Sequence, residues 1–118
     1  MPQGRALLVD EDPLVRLAVD RQLYALGWDA LVVNNGSEAL RILEARHEVD
    51  VILMELRLPD LDGRIVADIA ARLAPAARIL FMSGERPVRP VGRPVLVKPF
   101  STWDLARALD GAGGNQPR

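Results

Sequence analysis

The chain predicts a doubly wound α/β fold around a five-stranded parallel sheet, and three observations carry that expectation. Short runs that are apolar throughout alternate with segments of helical spacing. Such runs suit strands covered on both faces, as in parallel sheets with crossover helices. Several of the runs end in a residue able to do chemistry: Asp10 and Glu11, Glu55, Ser83, and Lys98. Right-handed crossovers bring the carboxyl ends of parallel strands to one edge, where ligands gather in these folds.

Ala6 to Asp10 reads as the first buried strand. Asp12 offers a helix N-cap and Pro13 suits the first helical position. Val15, Ala18, Val19, Gln22, Leu23 and Leu26 continue at helical spacing, and Gly27 fits the residue after a helix end. Ala30 to Val33 is the second strand, and Asn34-Asn35-Gly36 is a turn. Ser37 is placed to cap a helix reaching about Arg46. Val51 to Met54 is the third strand, and Pro59 to Gly63 a loop. Ile65, Val66, Ile69, Ala70 and Leu73 mark a third helix, broken by Pro75. Arg78 to Met82 and Val95 to Val97 are the fourth and fifth strands. Ser101 and Asp104 fit a capping box for a last helix running to about Leu109, with Trp103 expected as half-buried core, the alternative being an anchor for a partner.

One segment interrupts the alternation. Gly84 to Pro94 holds three prolines and three arginines. Proline lacks the amide donor and clashes within a helix, and it pushes the preceding residue toward extended geometry. An extended, basic connector is expected there in place of a crossover helix. It is either a docking segment or a solvated loop guarding a sheet edge.

Bulk properties exclude several classes. The 118 residues fit one domain, and 49 % hydrophobic residues suffice for a core. A net charge of −1 gives no general pull toward nucleic acid or membrane. No cysteine is present, so disulfides and thiolate metal sites are excluded, and the single His47 makes no histidine cluster. No stretch has the length of a membrane helix, the N-terminus does not read as a signal peptide, and no DNA-recognition helix is evident. The expectation is a cytoplasmic protein that binds neither nucleic acid nor membrane.

Asp10, Glu11 and Glu55 bring like charges to one edge, which requires a cation, either Lys98 or a divalent metal. Pro99 constrains the backbone of Lys98 at the strand end. Ser83 either faces this pocket or bonds a nearby backbone group. The residues alone favour a trans bond before Pro99.

Together these segments resemble the receiver domains of bacterial two-component response regulators, with a CheY-like strand order 2-1-3-4-5. Val9-Asp10-Glu11-Asp12-Pro13 resembles the family's acidic pocket, and Glu55 with Pro59 and Gly63 the phosphoacceptor segment. Ser83-Gly84 matches the switch hydroxyl, and Lys98-Pro99-Phe100 the lysine–proline–aromatic signature. The resemblance implies magnesium held by Asp10, Glu11, Glu55 and the backbone oxygen of Arg57. It implies a histidine kinase or phosphotransfer protein as partner, and a cis bond before Pro99. Residues 1–110 would form the receiver domain and 111–118 a flexible tail.

Three departures stand out. Glu55 occupies the place of the phosphoacceptor aspartate, Val95 that of a frequent aromatic, and the connector is too short for a normal fourth helix. Glutamate in place of aspartate extends the reach by about 1.5 Å. Magnesium is strict in geometry, and a misplacement of about 1 Å can slow in-line attack on the order of 10²-fold. Magnesium binding is therefore expected to be weak or absent, and phosphorylation at Glu55 weak or absent. The module would act by contact with another signalling protein, as a non-enzyme capable at most of self-phosphorylation. The alternative is a working magnesium-dependent phosphoacceptor fed by a histidine kinase. A third reading takes Asp10-Glu11-Asp12 as the Asp-x-Asp of haloacid dehalogenase-type phosphatases, whose further motifs are not found here.

Overall fold

Asp12 accepts a hydrogen bond from the Leu14 amide and Pro13 opens the first helix, so the chain turns sharply after its first strand. That local rule recurs along the whole fold. In the computed structural model, which describes residues 3–46 and 48–111, the elements are β1 (Arg5–Val9), α1 (Pro13–Ala25), β2 (Asp29–Val33), α2 (Gly36–Ala45), β3 (Val51–Glu55), α3 (Gly63–Leu73), β4 (Arg78–Ser83), β5 (Val95–Val97) and α4 (Thr102–Leu109). The five strands are parallel in the order β2-β1-β3-β4-β5. The expected fold class and strand order are met. His47 and residues 112–118 lie outside the described residues.

Alternation of side chains along each strand divides the core in two. Leu7, Val9, Ile52, Met54, Ile79 and Phe81 face α2 and α3. Ala6, Leu8, Val51, Leu53, Leu80 and Met82 face α1 and α4. The register sets Val9 beside Met54, and Glu55 beside Met82. The ends of β1, β3 and β4 are thereby aligned along one edge. Arg78, opening β4, donates to the terminal carbonyls of Ala108 and Leu109 and so anchors the end of α4. Gly27 has φ +86°, the left-handed conformation expected after α1.

Three expectations are corrected. The cap of α2 is Asn35, whose side chain accepts from the Glu38 amide, and not Ser37. Ser37 lies within the first turn and bonds Asp60 instead. Trp103 is 70 % exposed, because Leu105, Ala108 and Leu109 take the core-facing stripe of α4. The second strand is not buried throughout: β2 is a sheet edge, and Val32 is exposed.

Residues 84–94, between β4 and β5, contain no helix. Val91 packs against the core on the α3 side, and Arg93 pairs with Asp68 of α3 at 3.5 Å. The connector is thus pinned at its C-terminal half.

Candidate functional site at the strand ends

The site is built from three strand ends. Asp10 follows β1 and is 1 % exposed. Its Oδ1 accepts from the Asp12 amide at 2.9 Å, which holds the carboxylate against the α1 turn. Glu55 is the last residue of β3. Lys98 follows β5, where its amide donates to the Ser83 carbonyl at 2.7 Å, and the Lys98–Pro99 bond is cis. Lys98 Nζ reaches Asp10 Oδ2 at 3.0 Å and also pairs with Glu55 Oε2. One ammonium therefore bridges two carboxylates.

The bridge is largely withdrawn from water, and its protonation reflects that. Burial is the strongest influence on Glu55 and pushes its carboxyl up. Lys98 pulls it down, the Asp10 carboxylate adds to the rise, and the net direction is upward. Burial works against the charge of Lys98, but the two carboxylates outweigh it and hold its ammonium above the ordinary lysine range.

Ser83 is buried, and its hydroxyl turns to the backbone two residues on. It donates to the Glu85 carbonyl at 2.6 Å and accepts from the Glu85 amide at 3.2 Å. Of the two sequence alternatives, the structure shows the local one. Glu11 is exposed, and its carbonyl accepts from Arg16 at 2.9 Å. Arg57 pairs with Asp62 through an isolated antiparallel bridge. Among the described residues, no group of three His, Cys, Asp or Glu side chains is placed to hold a metal ion. As arranged, the two acids that meet share one ammonium, which offsets one of their two charges.

Two further residues position the loop after Glu55: Asp60, which carried no signal in the sequence, and Gly63, which the sequence placed in the phosphoacceptor segment. Asp60 accepts from the Gly36 amide at 2.9 Å, the Ser37 amide at 3.0 Å and the Ser37 hydroxyl at 2.7 Å. It clasps the loop after Glu55 to the start of α2, a natural seat for a carboxylate. Desolvation is the largest single influence and raises its carboxyl, but the bonds from Ser37 and Gly36 together outweigh it, and the net direction is downward. Gly63 opens α3 so close to the end of β3 that an added Cβ would lie 2.4 Å from the Leu56 carbonyl oxygen and 2.8 Å from that of Glu55. Only glycine permits that approach.

Residues 6–110 match the family model described as response regulator receiver domain. The chain belongs to the receiver domain family. Receiver domains are modules of two-component signalling that exchange phosphoryl groups with histidine kinases or phosphotransfer partners. This receiver is 35 % identical, over an alignment of 116 positions that covers 90 % of its length, to the positive alginate biosynthesis regulatory protein of Pseudomonas aeruginosa, covering 46 % of that protein. It is 35 % identical over 79 residues, 67 % of its length, to the autoinducer 1 sensor kinase/phosphatase LuxN of Vibrio campbellii, covering 9 % of it. The chain thus spans less than half the length of these curated relatives. A solved receiver domain of a sensor histidine kinase from Pseudomonas aeruginosa PAO1 superposes with a TM-score of 0.80 at 27 % identity, covering 92 % of this chain and 95 % of that one. That structure carries a magnesium ion coordinated in its active site cleft. No helix among the described residues is long and apolar enough to cross a membrane.

Proposed function

We propose that this receiver is atypical: a cytoplasmic signalling module that works by protein contact, with weak or no phosphorylation at Glu55. The observation that carries the reading is the bridge from Lys98 to both Asp10 and Glu55. The longer carboxylate of Glu55 already engages the ammonium that would otherwise meet an incoming phosphoryl group. Glu11 stands exposed, apart from that bridge, so magnesium binding at Asp10, Glu11, Glu55 and the Arg57 carbonyl is weak or absent on this reading. The bridge places one negative charge where a phosphoryl group would place nearly two, so it imitates the phosphorylated state only in part. Residues 1–110 act as the functional unit.

Surface chemistry supports a role in contact. Leu14 and Tyr24 of α1 and Trp103 of α4 are exposed at 75 %, 83 % and 70 %. An apolar groove of about 330 Å³ runs between Leu14, Val15 and Ala18 of α1 and Pro99-Phe100, beside Lys98. A histidine kinase, a phosphotransfer protein or another signalling protein are the partner classes this kinship suggests.

The test is incubation with Mg²⁺ and acetyl phosphate, read by intact mass. The expected result is no gain by the chain as it stands, and a gain of one phosphoryl group by Glu55→Asp, whose shorter side chain withdraws from Lys98. A phosphoryl gain by the unaltered chain that disappears in Glu55→Gln overturns the proposal in favour of a working phosphoacceptor.

A further inference from the structure

The connector between β4 and β5 leaves an open cleft. It lies between residues 87–91 of the connector and the loop from Leu56 to Asp62, with a volume of about 630 Å³. That size is typical of ligand clefts, about 300–1,000 Å³. It exists because an extended segment pinned at Val91 and Arg93 covers less of the α3 side of the sheet than a helix would.

Its charge is net positive. Three arginines (Arg57, Arg64, Arg89) and two aspartates line it. Asp60 is committed to the start of α2, and Asp62 pairs with Arg64 at 3.3 Å while capping α3. Arg57 and Arg89 are exposed and have no hydrogen-bonded or ion-paired side-chain partner among the described residues. Two uncommitted guanidinium groups therefore face a cleft whose remaining walls include Leu58, Val88 and Val91, with Val88 fully exposed.

We propose that this cleft binds an acidic peptide segment of a partner protein, with its carboxylates on Arg57 and Arg89 and an apolar side chain against Leu58, Val88 and Val91. Guanidinium groups take carboxylates in a bidentate manner. The prolines hold their side of the cleft extended before binding, which lowers the ordering cost. The apolar walls favour a peptide over a bare inorganic anion. The proposal deepens the contact-based function and rests on it, while using a surface separate from the Lys98 bridge.

The experiment is fluorescence anisotropy with the full chain and three labelled probes: a glutamate–leucine peptide, its lysine–leucine twin, and polyglutamate. Backbone amide shifts locate any binding. The glutamate–leucine probe is expected to saturate, weaken with salt, and shift amides in 56–64 and 87–91. Arg57→Glu with Arg89→Glu should weaken it about tenfold or more, one to two charge-assisted pairs' worth, and should gain the lysine–leucine probe. That gain guards against mere misfolding. The proposal is overturned by no saturable binding, by equal binding of polyglutamate, by shifts confined elsewhere, or by indifference to the two substitutions. Repeating the titration after treatment with acetyl phosphate separates the two readings. Phosphorylation with unchanged peptide binding overturns the unphosphorylated reading alone; loss of arginine dependence overturns the cleft alone.

Discussion

Glu55 and Asp60 stand on one stretch of chain, yet their surroundings drive their carboxyls in opposite directions. Glu55 is largely buried at the end of β3, where removal from water raises its carboxyl and a single flexible ammonium opposes the rise. Asp60 is exposed and receives two backbone amides and a hydroxyl at the start of α2, which lower it. At Asp60 the fixed donors together outweigh desolvation, whereas at Glu55 a single counter-charge does not. The Glu55 cluster is therefore the sensitive part of the site, and Asp60 is the clasp that keeps its loop in place.

Removing the counter-charge should have the largest effect. Lys98→Met leaves Asp10 and Glu55 facing each other without a cation, and is expected to cost about 3 kcal/mol near neutral pH. The sign of the pH dependence follows from the raised carboxyl. The folded state holds the Glu55 proton more tightly than the unfolded chain, so stability falls as pH rises through and above the ordinary carboxylate range. Lys98→Met steepens that fall and should itself gain stability between about pH 7 and pH 5. Urea unfolding at both pH values measures this. Adding Glu55→Gln should restore most of the loss; no restoration would mean that the two acids do not meet.

Asp60→Ala should act more weakly and with the opposite slope. Its lowered carboxyl contributes stability above the ordinary carboxylate range and loses it as pH falls through that range. The expected cost near neutral pH is about 1 kcal/mol, kept small by exposure. The variant should converge on the parent chain in acid, with a shallower decline in stability below about pH 4. A loss that persists undiminished in acid would break the contrast with Glu55, because it would locate the effect in packing and not in charge.

These two acids also mark what the sequence could and could not reveal. Glu55, Asp10 and Lys98 were legible because each ends an apolar run, and parallel strands bring such ends together whatever the details of packing. Asp12, Gly27, Ser101 and Asp104 were legible because capping is local. Asp60 was not, because its partners lie 23 and 24 residues away, at the start of α2. That contact also explains the misplaced cap: Ser37 turns to Asp60 and leaves capping to Asn35. Trp103 was misread because a large apolar side chain suggests burial, while the narrow stripe of α4 was already filled by Leu105, Ala108 and Leu109. Gly63 carried a signal in its residue type alone, since its tight approach to Leu56 needs the strand and helix in place before it can be seen.

The smallest expected effect tests how far the cluster extends. Ser83 lies at the end of β4, and its backbone carbonyl accepts from the Lys98 amide, yet its hydroxyl is occupied by both backbone groups of Glu85. Ser83→Ala removes a local turn bond and should cost about 0.5–1 kcal/mol. It should leave the titration of the Glu55 carboxyl unchanged, because no atom of the bridge loses a partner. Carbon-detected NMR of the glutamate carboxyl in the variant and the parent chain is the direct check. A shift in the Glu55 titration would place the hydroxyl among the groups that govern the bridge, and Ser83 would then belong with Lys98 and not with the turn.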